Sequence, residues 1–478
     1  MTGDRRLEHL RVMKRPECIP QATWDVIPPE AQAVLAAVIA AFEVQVADLK
    51  ASRKQDSSNS SRPPSSDPPH SKPAPPRRRS GRRRGGQPGH RRNDRNRLTP
   101  DAVVDAKPDR CRRCGEALEG DDPEPLVRQV FEVPEVKPHV VEYRLHRLIC
   151  PRCGESTCGV TADEAEVGYG PRTQAVCAVL AGDGRLSKRR VARVMDDLFG
   201  LPISPAAVCE LERRTAEALA PIHDEVLGHL RKLPANVDET SWPEGRRRGW
   251  LWTAVAEGLG VFRVAASRSR DAFGELMGRS PPEVVTSDRD SAYSHLPPER
   301  RQACWAHLRR DFQAMIDRGD AGTTIGEDLL LHADILFECW SQVRAGEHPR
   351  PRFATETLPW LRCEVEDLLR RGTECGPKKT AATCRAILKV EPSLWTFATT
   401  EGVEPTNNDA ERALRHAVCW RKTSFGTDSA MGSRFVERIL TTIESCRRQS
   451  RDLLDFLVEA VEAHRSGGKP PSFIPTGA

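Results

Sequence analysis

The stretch Leu233 to Ser267, LPANVDETSWPEGRRRGWLWTAVAEGLGVFRVAAS, marks the point where the chain changes its period. Upstream, apolar residues recur at three- and four-residue spacing. Here LPANVDETSW, WLWTAVA (Trp250 to Ala256) and VFRVAAS (Val261 to Ser267) read as three consecutive antiparallel strands, the last two joined by a turn around Gly258 and Gly260. A helix is predicted over Asp271 to Met277, then EVVTSD (Glu283 to Asp288), a short apolar strand that ends in a carboxylate. Asp238 therefore lies on the first strand and Asp288 at the tip of the fourth. Strand alternation turns Glu239 to the face opposite Asp238, and Asp290, beyond the strand tip, reads as a loop or cap residue. A brief fifth strand near Gln302 to Trp305 runs into a helix from His307 to Ile316, where His307 suits either a phosphate contact or a structural junction.

The order β-β-β-α-β with acids at those places is the layout of a ribonuclease-H-like α/β nuclease core. Working outward, Gly319 to Trp395 reads as a helical insertion, with Leu329, Leu330, Ile335 and Leu336 and later Leu361, Val365, Leu368 and Leu369 at helical spacing. Beyond it lies VEPTNNDAERALRHAVCWRKTSFG (Val403 to Gly426), a helix opened near Pro405 that carries Glu411 between Arg412 and Arg415. On charge patterning alone Glu411 belongs to a solvated ion-pair face. The constellation changes that reading, because phosphodiester chemistry needs an attacking oxygen activated and a leaving oxygen stabilised, which two Mg²⁺ ions about 4 Å apart do together. Mg²⁺ prefers hard oxygen ligands and keeps several waters, so a few carboxylates suffice. A last long helix carries Phe435, Ile439, Leu440, Ile443 and Cys446 on one apolar face.

The 478 residues fit about three domains, and 38% apolar residues can supply real cores. The longest apolar run, near Ala33 to Phe42, is shorter than the ~20 residues a bilayer span needs, and the N-terminus resembles neither a signal nor a transit peptide. Fifteen cysteines without the dense spacing of a secreted scaffold suit a reducing compartment, so a soluble cytoplasmic protein is expected. The net charge of +5 is uneven: Arg62 to Arg97 holds twelve Lys/Arg against two Asp, a net of +10, which leaves −5 for the remainder.

Residues 1–56 form an N-terminal helical region whose stripe of Val34, Leu35, Val38, Phe42, Val46 and Leu49 suits a dimerising coil or one helix packed on its own domain. Residues 57–100 read as a disordered linker, Ser/Pro-rich and then Arg-rich. Its arginines Arg77, Arg78, Arg79, Arg82, Arg83 and Arg84 can lie along a phosphate backbone, positioning DNA without reading sequence. Residues 101–165 hold Cys111-Arg-Arg-Cys114-Gly and Cys150-Pro-Arg-Cys153-Gly, two knuckles that can offer four thiolates to one structural Zn²⁺. Val127 to Val133 and His139 to Leu148 read as strands closing the knuckles together, and His146 and Cys158 are substitute ligands. Residues 166–232 read as a helical, helix-turn-helix-like unit for DNA, with Gly200 ending one helix and Ser204-Pro205 opening the next.

Several motifs carry a resemblance: NSSRPPSSD (Asn59 to Asp67), GGQPGH (Gly85 to His90), the paired knuckles, VDETSW (Val237 to Trp242), SDRDSAY (Ser287 to Tyr293), QACWAHLRRDF (Gln302 to Phe312), NNDAERALR (Asn407 to Arg415) and WRKTSFGT (Trp420 to Thr427). In this order, over roughly Leu35 to Leu457, the chain resembles the insertion-sequence-66 family of bacterial DDE transposases. The resemblance implies that Asp238, Asp288 and Glu411 match the catalytic triad and hold two Mg²⁺ or Mn²⁺ ions. It also implies transposon-end and target DNA as substrates, and small companion proteins as partners beside a homodimer or higher oligomer. The spacing of the cysteine pairs, long for a generic zinc ribbon, is ordinary for this family. Arg412, Arg415, Arg421 and Lys422 suit phosphate contacts beside the triad. The whole is expected to be a multidomain α+β protein, its catalytic core split into residues 233–318 and 396–464 around an insertion at 319–395, with a C-terminal tail from 465 to 478 and no membrane contact. Two other readings share parts of the pattern: a zinc-containing DNA-binding regulator without catalysis, which leaves the three acids unexplained, and a metal-dependent nuclease without strand transfer.

Overall fold

Seven strands are present among the described residues. β1 (Arg147–Ile149) and β2 (Ser156–Cys158) form a small hairpin, while β3 (Ala235–Ser241), β4 (Trp250–Ala256), β5 (Leu259–Ala265), β6 (Val285–Ser287) and β7 (Arg301–Ala303) build one mixed sheet in the order β5-β4-β3-β6-β7. The computed structural model describes residues 19–39, 42, 96–160, 168–279 and 283–475. The stretch from Leu233 forms strands because alternation has something to bury: Ala235, Val237 and Glu239 of β3 are inside, while Asn236, Asp238 and Thr240 are half-buried. β3 pairs antiparallel with β4 and β4 with β5, whereas β6 runs parallel to β3 and β7 parallel to β6. The expected helix appears as Arg270–Met277, capped by Ser269, whose hydroxyl accepts from the Ala272 amide at 3.4 Å.

β5 is an edge strand, and the helix Ala430–Arg448 covers it. Its apolar residues Phe435, Ile439, Leu440 and Cys446 are buried as the spacing predicts. A second row, Glu437, Thr441 and Ser445, recurs every four residues and accepts hydrogen bonds from the edge amides of Val264 at 2.7 Å, Phe262 at 3.1 Å and Gly260 at 3.3 Å. Side chains thus occupy ladder positions that would otherwise pair with another chain. The approach leaves no room for a side chain at Gly260, where a Cβ would lie 2.5 Å from Glu444 Cγ.

The region 319–395 is helical as expected, comprising Thr323–Arg344, Leu358–Glu374 and Lys378–Leu388 with short connecting turns. Its core gathers Trp340, Phe353, Phe397, Trp395, Leu329, Leu336, Leu361 and Val365 around Trp305 at the start of helix Trp305–Asp317. Trp305 Nε1–H donates to the Leu394 carbonyl at 2.8 Å, satisfying the indole inside that core. Helices Pro171–Gly182, Lys188–Phe199, Pro205–Ala218 and Ala220–Leu230 precede the sheet. Gly200 sits at φ +59° after the second, and the Ser204 hydroxyl accepts from the Ala207 amide at 3.1 Å before the third, the turn chemistry expected there.

The described residues group into two compact units, one holding the sheet and its helices, the other residues 96–142 with 192–203. The strand expected at Val127 to Val133 does not form, and of the one expected at His139 to Leu148 only Arg147 and Leu148 pair, as the start of β1. Val130, Val133, Val140 and Val141 are 95%, 82%, 78% and 57% exposed, so their β-branched alternation finds no face to bury and no ladder follows. Each knuckle instead closes on itself, the first through the bridge Arg110–Ala117 and the second through the β1–β2 hairpin. At the N-terminus, residues 29–39 are helical and Val34, Leu35, Val38 and Phe42 are exposed; Val46 and Leu49, and the Arg77 to Arg84 cluster, lie outside the described residues. No helix among the described residues is long and apolar enough to cross a membrane.

Candidate active site

The parallel pairing of β3 with β6 places two of the three candidate acids. Ala235 lies opposite Val285 and Asn236 opposite Thr286, so continuing the register sets Asp238, in the middle of β3, beside Asp288, one residue past the end of β6. The third comes from helix Asn408–Ser424, which packs across β3 and β4. Its N-terminus is pinned by buried Asn407, whose amide nitrogen donates from Nδ2 to the Val237 carbonyl at 3.4 Å and from the backbone to Cys304 Sγ at 3.4 Å. The Trp305 amide also donates to the Pro405 carbonyl at 2.9 Å. Glu411 therefore enters in the first turn of a helix anchored to the same strand that carries Asp238.

The three acids share one electrostatic environment. Burial holds the Asp238 carboxyl well above the usual carboxylate range, and the charges of Glu239, Glu411 and Asp288 push it further. Asp288 is also raised, chiefly by burial, although the Asp290 amide donates to its Oδ1 at 2.9 Å. Repulsion among half-buried acids is costly unless cations enter, and two cations of the protein's own do. Arg268 donates to Asp288 Oδ2 at 3.3 Å, pairs with Asp290 at 3.3 Å and with buried Glu239, and lies 5.4 Å from the Trp250 ring. Arg310 donates to Glu411 Oε1 at 3.0 Å. His307, three residues earlier and on the same helix face, puts Nε2 at 3.8 Å from that oxygen and 3.2 Å from Arg310. Burial and the Arg310 charge push the His307 imidazole down to about 4, so it is neutral at ordinary pH, and its buried Nδ1 has no partner.

Glu239 is not one of the facing acids. Its carboxylate is buried between Arg268 and the Tyr293 hydroxyl, and it supports the site through Arg268. Asp290 caps the turn Ser291–Tyr293, accepting from the Ala292 amide at 2.9 Å. The basic residues of the Glu411 helix divide. Arg412 pairs with Asp409 at 2.9 Å, and Arg421 turns inward to Thr240 Oγ1 at 3.1 Å and to Ser241, with burial lowering its affinity for the proton. Arg415 and Lys422 are exposed, and no described residue pairs with their side chains. Sequence reasoning missed Arg268, Arg310 and the exposed run Arg246-Arg247-Arg248 on the β3–β4 turn. Arg310 had a signal in its i+3 spacing from His307; Arg268 had none, since its partners lie at positions 239, 288 and 290.

The two cysteine knuckles repeat one geometry. The Cys111 amide donates to Glu116 O and the Gly115 amide to Cys111 O at 2.8 and 3.0 Å; Cys150–Glu155 and Gly154–Cys150 repeat this at 2.8 and 2.9 Å. Gly115 and Gly154 both sit at φ +77°, which needs glycine. Hydrogen bonds from the backbone of Cys114 and Arg113 lower the Cys111 thiol, and those from Cys153 and Arg152 lower Cys150. Among the described residues no group of three or more His, Cys, Asp or Glu side chains is gathered at metal-holding distance.

A mixed sheet whose adjacent parallel strands β3 and β6 set two acids side by side, with a third acid carried in on an anchored helix, belongs to a mixed α/β protein with a transposase domain. Residues 167–434, which include all three acids, match the family described as Transposase IS66 family, and the chain belongs to that family. Residues 18–96 match a family of unknown function (DUF6444), and the four knuckle cysteines fall in neither match. Uncharacterized protein y4qI of Sinorhizobium fredii (strain NBRC 101917 / NGR234) is 25% identical over 253 residues, 47% of this chain and 46% of that protein. The chain thus spans about half the length of that curated relative.

Proposed function

We propose that the protein is a DDE-type transposase with a ribonuclease-H-like core, which binds transposon-end DNA, cuts it and joins the freed end to target DNA. The observation that carries this reading is the field that Glu411 and Asp288 exert on Asp238, three acids delivered by the middle of β3, the end of adjacent β6 and one anchored helix. Their donors are hard oxygens, and at Asp238 burial and then the neighbouring acids raise the carboxyl, which fits a pair of Mg²⁺ or Mn²⁺ ions. Asp238, Asp288 and Glu411 would hold them, and such a pair activates the attacking oxygen and stabilises the leaving one. In the first step water attacks a phosphodiester, one P–O bond forms as another breaks, and a 3′-hydroxyl leaves. In the second that hydroxyl attacks a target phosphodiester, exchanging one P–O bond for another, so no oxidant or energy source is needed.

The chain's own groups act around this exchange. Arg310 and neutral His307 orient Glu411, while Arg268, backed by Glu239 and Tyr293, orients Asp288. Exposed Arg415 and Lys422 are free to meet phosphates, and Arg77, Arg78, Arg79, Arg82, Arg83 and Arg84, outside the described residues, carry the charge to do the same. The Cys111 and Cys150 thiols, lowered by backbone donors, suit a structural Zn²⁺ held together with Cys114 and Cys153. The test uses a duplex carrying the terminal repeat that bounds the gene, a second target duplex and Mg²⁺. Joined product is expected; cleavage without joining would leave a nuclease, and neither reaction from metal-loaded protein would leave a DNA-binding regulator.

A further inference from the structure

The Glu411 helix ends on Phe425, whose side chain is 80% exposed although it is large and apolar. The residue is left-handed, at φ 62° and ψ 15°, with its amide donating to the Arg421 carbonyl at 2.7 Å. A glycine would close the helix there without backbone cost, so neither packing nor the turn explains a phenylalanine. Nor is the tip loose. Gly426, at φ +108°, runs so close to the β3–β4 turn that a Cβ on it would lie 2.2 Å from the Pro243 carbonyl oxygen. The Thr427 amide donates to Pro243 O at 3.0 Å, the Gly245 amide donates to Thr427 O at 2.7 Å, and Trp242 packs edge-on against Trp420 at 6.1 Å. A strained backbone is therefore clamped to hold an aromatic ring in solvent.

The clamp also fixes what surrounds the ring. The turn that grips Phe425 carries Arg246, Arg247 and Arg248, all exposed, and no described residue pairs with their side chains. Lys422 is exposed one turn back along the helix. An exposed ring beside unpaired cations is chemistry for a base with its phosphates, since any base offers a π-face and phosphates recruit the arginines. Ser424 lies thirteen residues beyond Glu411, about 20 Å at ~1.5 Å per residue. That is about six nucleotide steps of ~3.4 Å along a strand.

We propose that Phe425 is a stacking post for an unpaired base of the bound DNA, and that Arg246, Arg247, Arg248 and Lys422 hold the adjoining phosphates. This rests on the DNA-processing reading above and adds to it a site for single-stranded character some distance from the cut. It commits to DNA rather than a second copy of the chain because four exposed cations, Arg246, Arg247, Arg248 and Lys422, lie on the elements that carry and grip the ring, against one exposed acid, Asp428.

The test measures binding of the full chain to two fluorescent oligonucleotide probes of one sequence, a blunt duplex and the same duplex with a single-stranded overhang. The expected result is preference for the overhang, lost by about tenfold in Phe425→Gly and Phe425→Leu and kept in Phe425→Trp, with blunt-duplex affinity unchanged by all three. Phe425→Gly relieves the positive φ, so the variant should melt no lower than wild type. Arg246→Ala with Arg248→Ala should weaken both probes and flatten the salt dependence. Wild-type protein that binds DNA but shows equal affinities for Phe425→Gly and itself on the overhang probe would overturn this inference alone. Wild-type protein that binds neither probe would overturn the DNA reading beneath it. A Phe425→Gly protein whose sedimentation changes while its overhang affinity does not would assign the ring to a protein contact and equally overturn the proposal.

Discussion

The acid cluster and the cysteine knuckles are both candidate metal sites, yet they are built in opposite ways. The acids are placed by the sheet: β3 and β6 set two of them by register, and Asn407 and Trp305 anchor the third through buried bonds. Their positions are fixed by folding alone, and arginines 268 and 310 already balance part of their charge. The knuckles are placed only by their own turns, within a segment whose side chains are almost all exposed. The acids are brought near one another by the sheet at an electrostatic cost, whereas each knuckle is ordered by its own turn, and under the zinc proposal the ion would supply what joins the two. Removing a metal should therefore matter differently in each.

The largest effect expected from this contrast is on catalysis. Asp238→Ala or Glu411→Ala should lower DNA cleavage and joining by about a thousandfold or more, some 4 kcal/mol of barrier. The variants should stay folded, because β3 is held by Val237 and its ladders and not by the acid. Full activity in either variant, measured with the terminal-repeat duplex, would break the triad assignment. Next comes the zinc. Purified protein should hold one equivalent, lost on chelation or in Cys150→Ser, after which proteolysis should attack residues 101–165 while the sheet domain melts as before. Stoichiometric zinc surviving Cys150→Ser would remove Cys150 from the ligand set.

Arg268→Met is a test of the protein's own counter-ions. It leaves Glu239 buried with only Tyr293 as partner, and uncompensated buried charge of this kind costs about 3 kcal/mol. A melting temperature equal to wild type would show that Arg268 is dispensable to the cluster. Asp238→Asn probes the same repulsion without breaking a contact. Because the folded-state carboxyl is raised by burial and by its acidic neighbours, wild-type protein free of divalent ions is penalised above that raised value, and the penalty fades as pH falls toward the ordinary carboxylate range. Asp238→Asn should thus be the more stable protein at neutral pH, with the gap closing on acidification. Neutral His307, lowered to about 4, acts in the opposite sense below about 6.5 in both proteins and so cancels in the comparison. A gap that widens on acidification would mean the acids do not repel.

How much of this was legible follows from what alternation can and cannot encode. Asp238 and Asp288 could be placed because strand period and strand ends are written locally, and the expected span Trp250 to Ala256 is β4 itself. Glu411 needed its motif context, since an acid between arginines has no distinctive pattern of its own. Arg268 was invisible because its three acidic partners are distant in the chain and meet only when β3, β6 and the turn after β5 come together. The row Glu437, Thr441 and Ser445 was written at helical spacing, yet its use as an edge cover depends on which strand it meets.

The misread strands at Val127 to Val133 supply the smallest and sharpest test. Their composition is as β-prone as that of β3, where Val237 is wholly buried, while Val130 is 95% exposed. If β-branched pattern alone conferred stability, Val130→Ser and Val237→Ala would cost similar amounts. Burial says otherwise: Val130→Ser should stay within about 0.5 kcal/mol of wild type, as exposed substitutions do. Val237→Ala should cost about 2 kcal/mol through lost methyl burial and the cavity left behind. Denaturant unfolding of the two variants reads the difference directly. A large loss for Val130→Ser would mean that the segment packs in solution against something its own chain does not supply, most simply by pairing when zinc draws the knuckles together, and repeating the measurement after chelation would separate that case from a contact with another molecule.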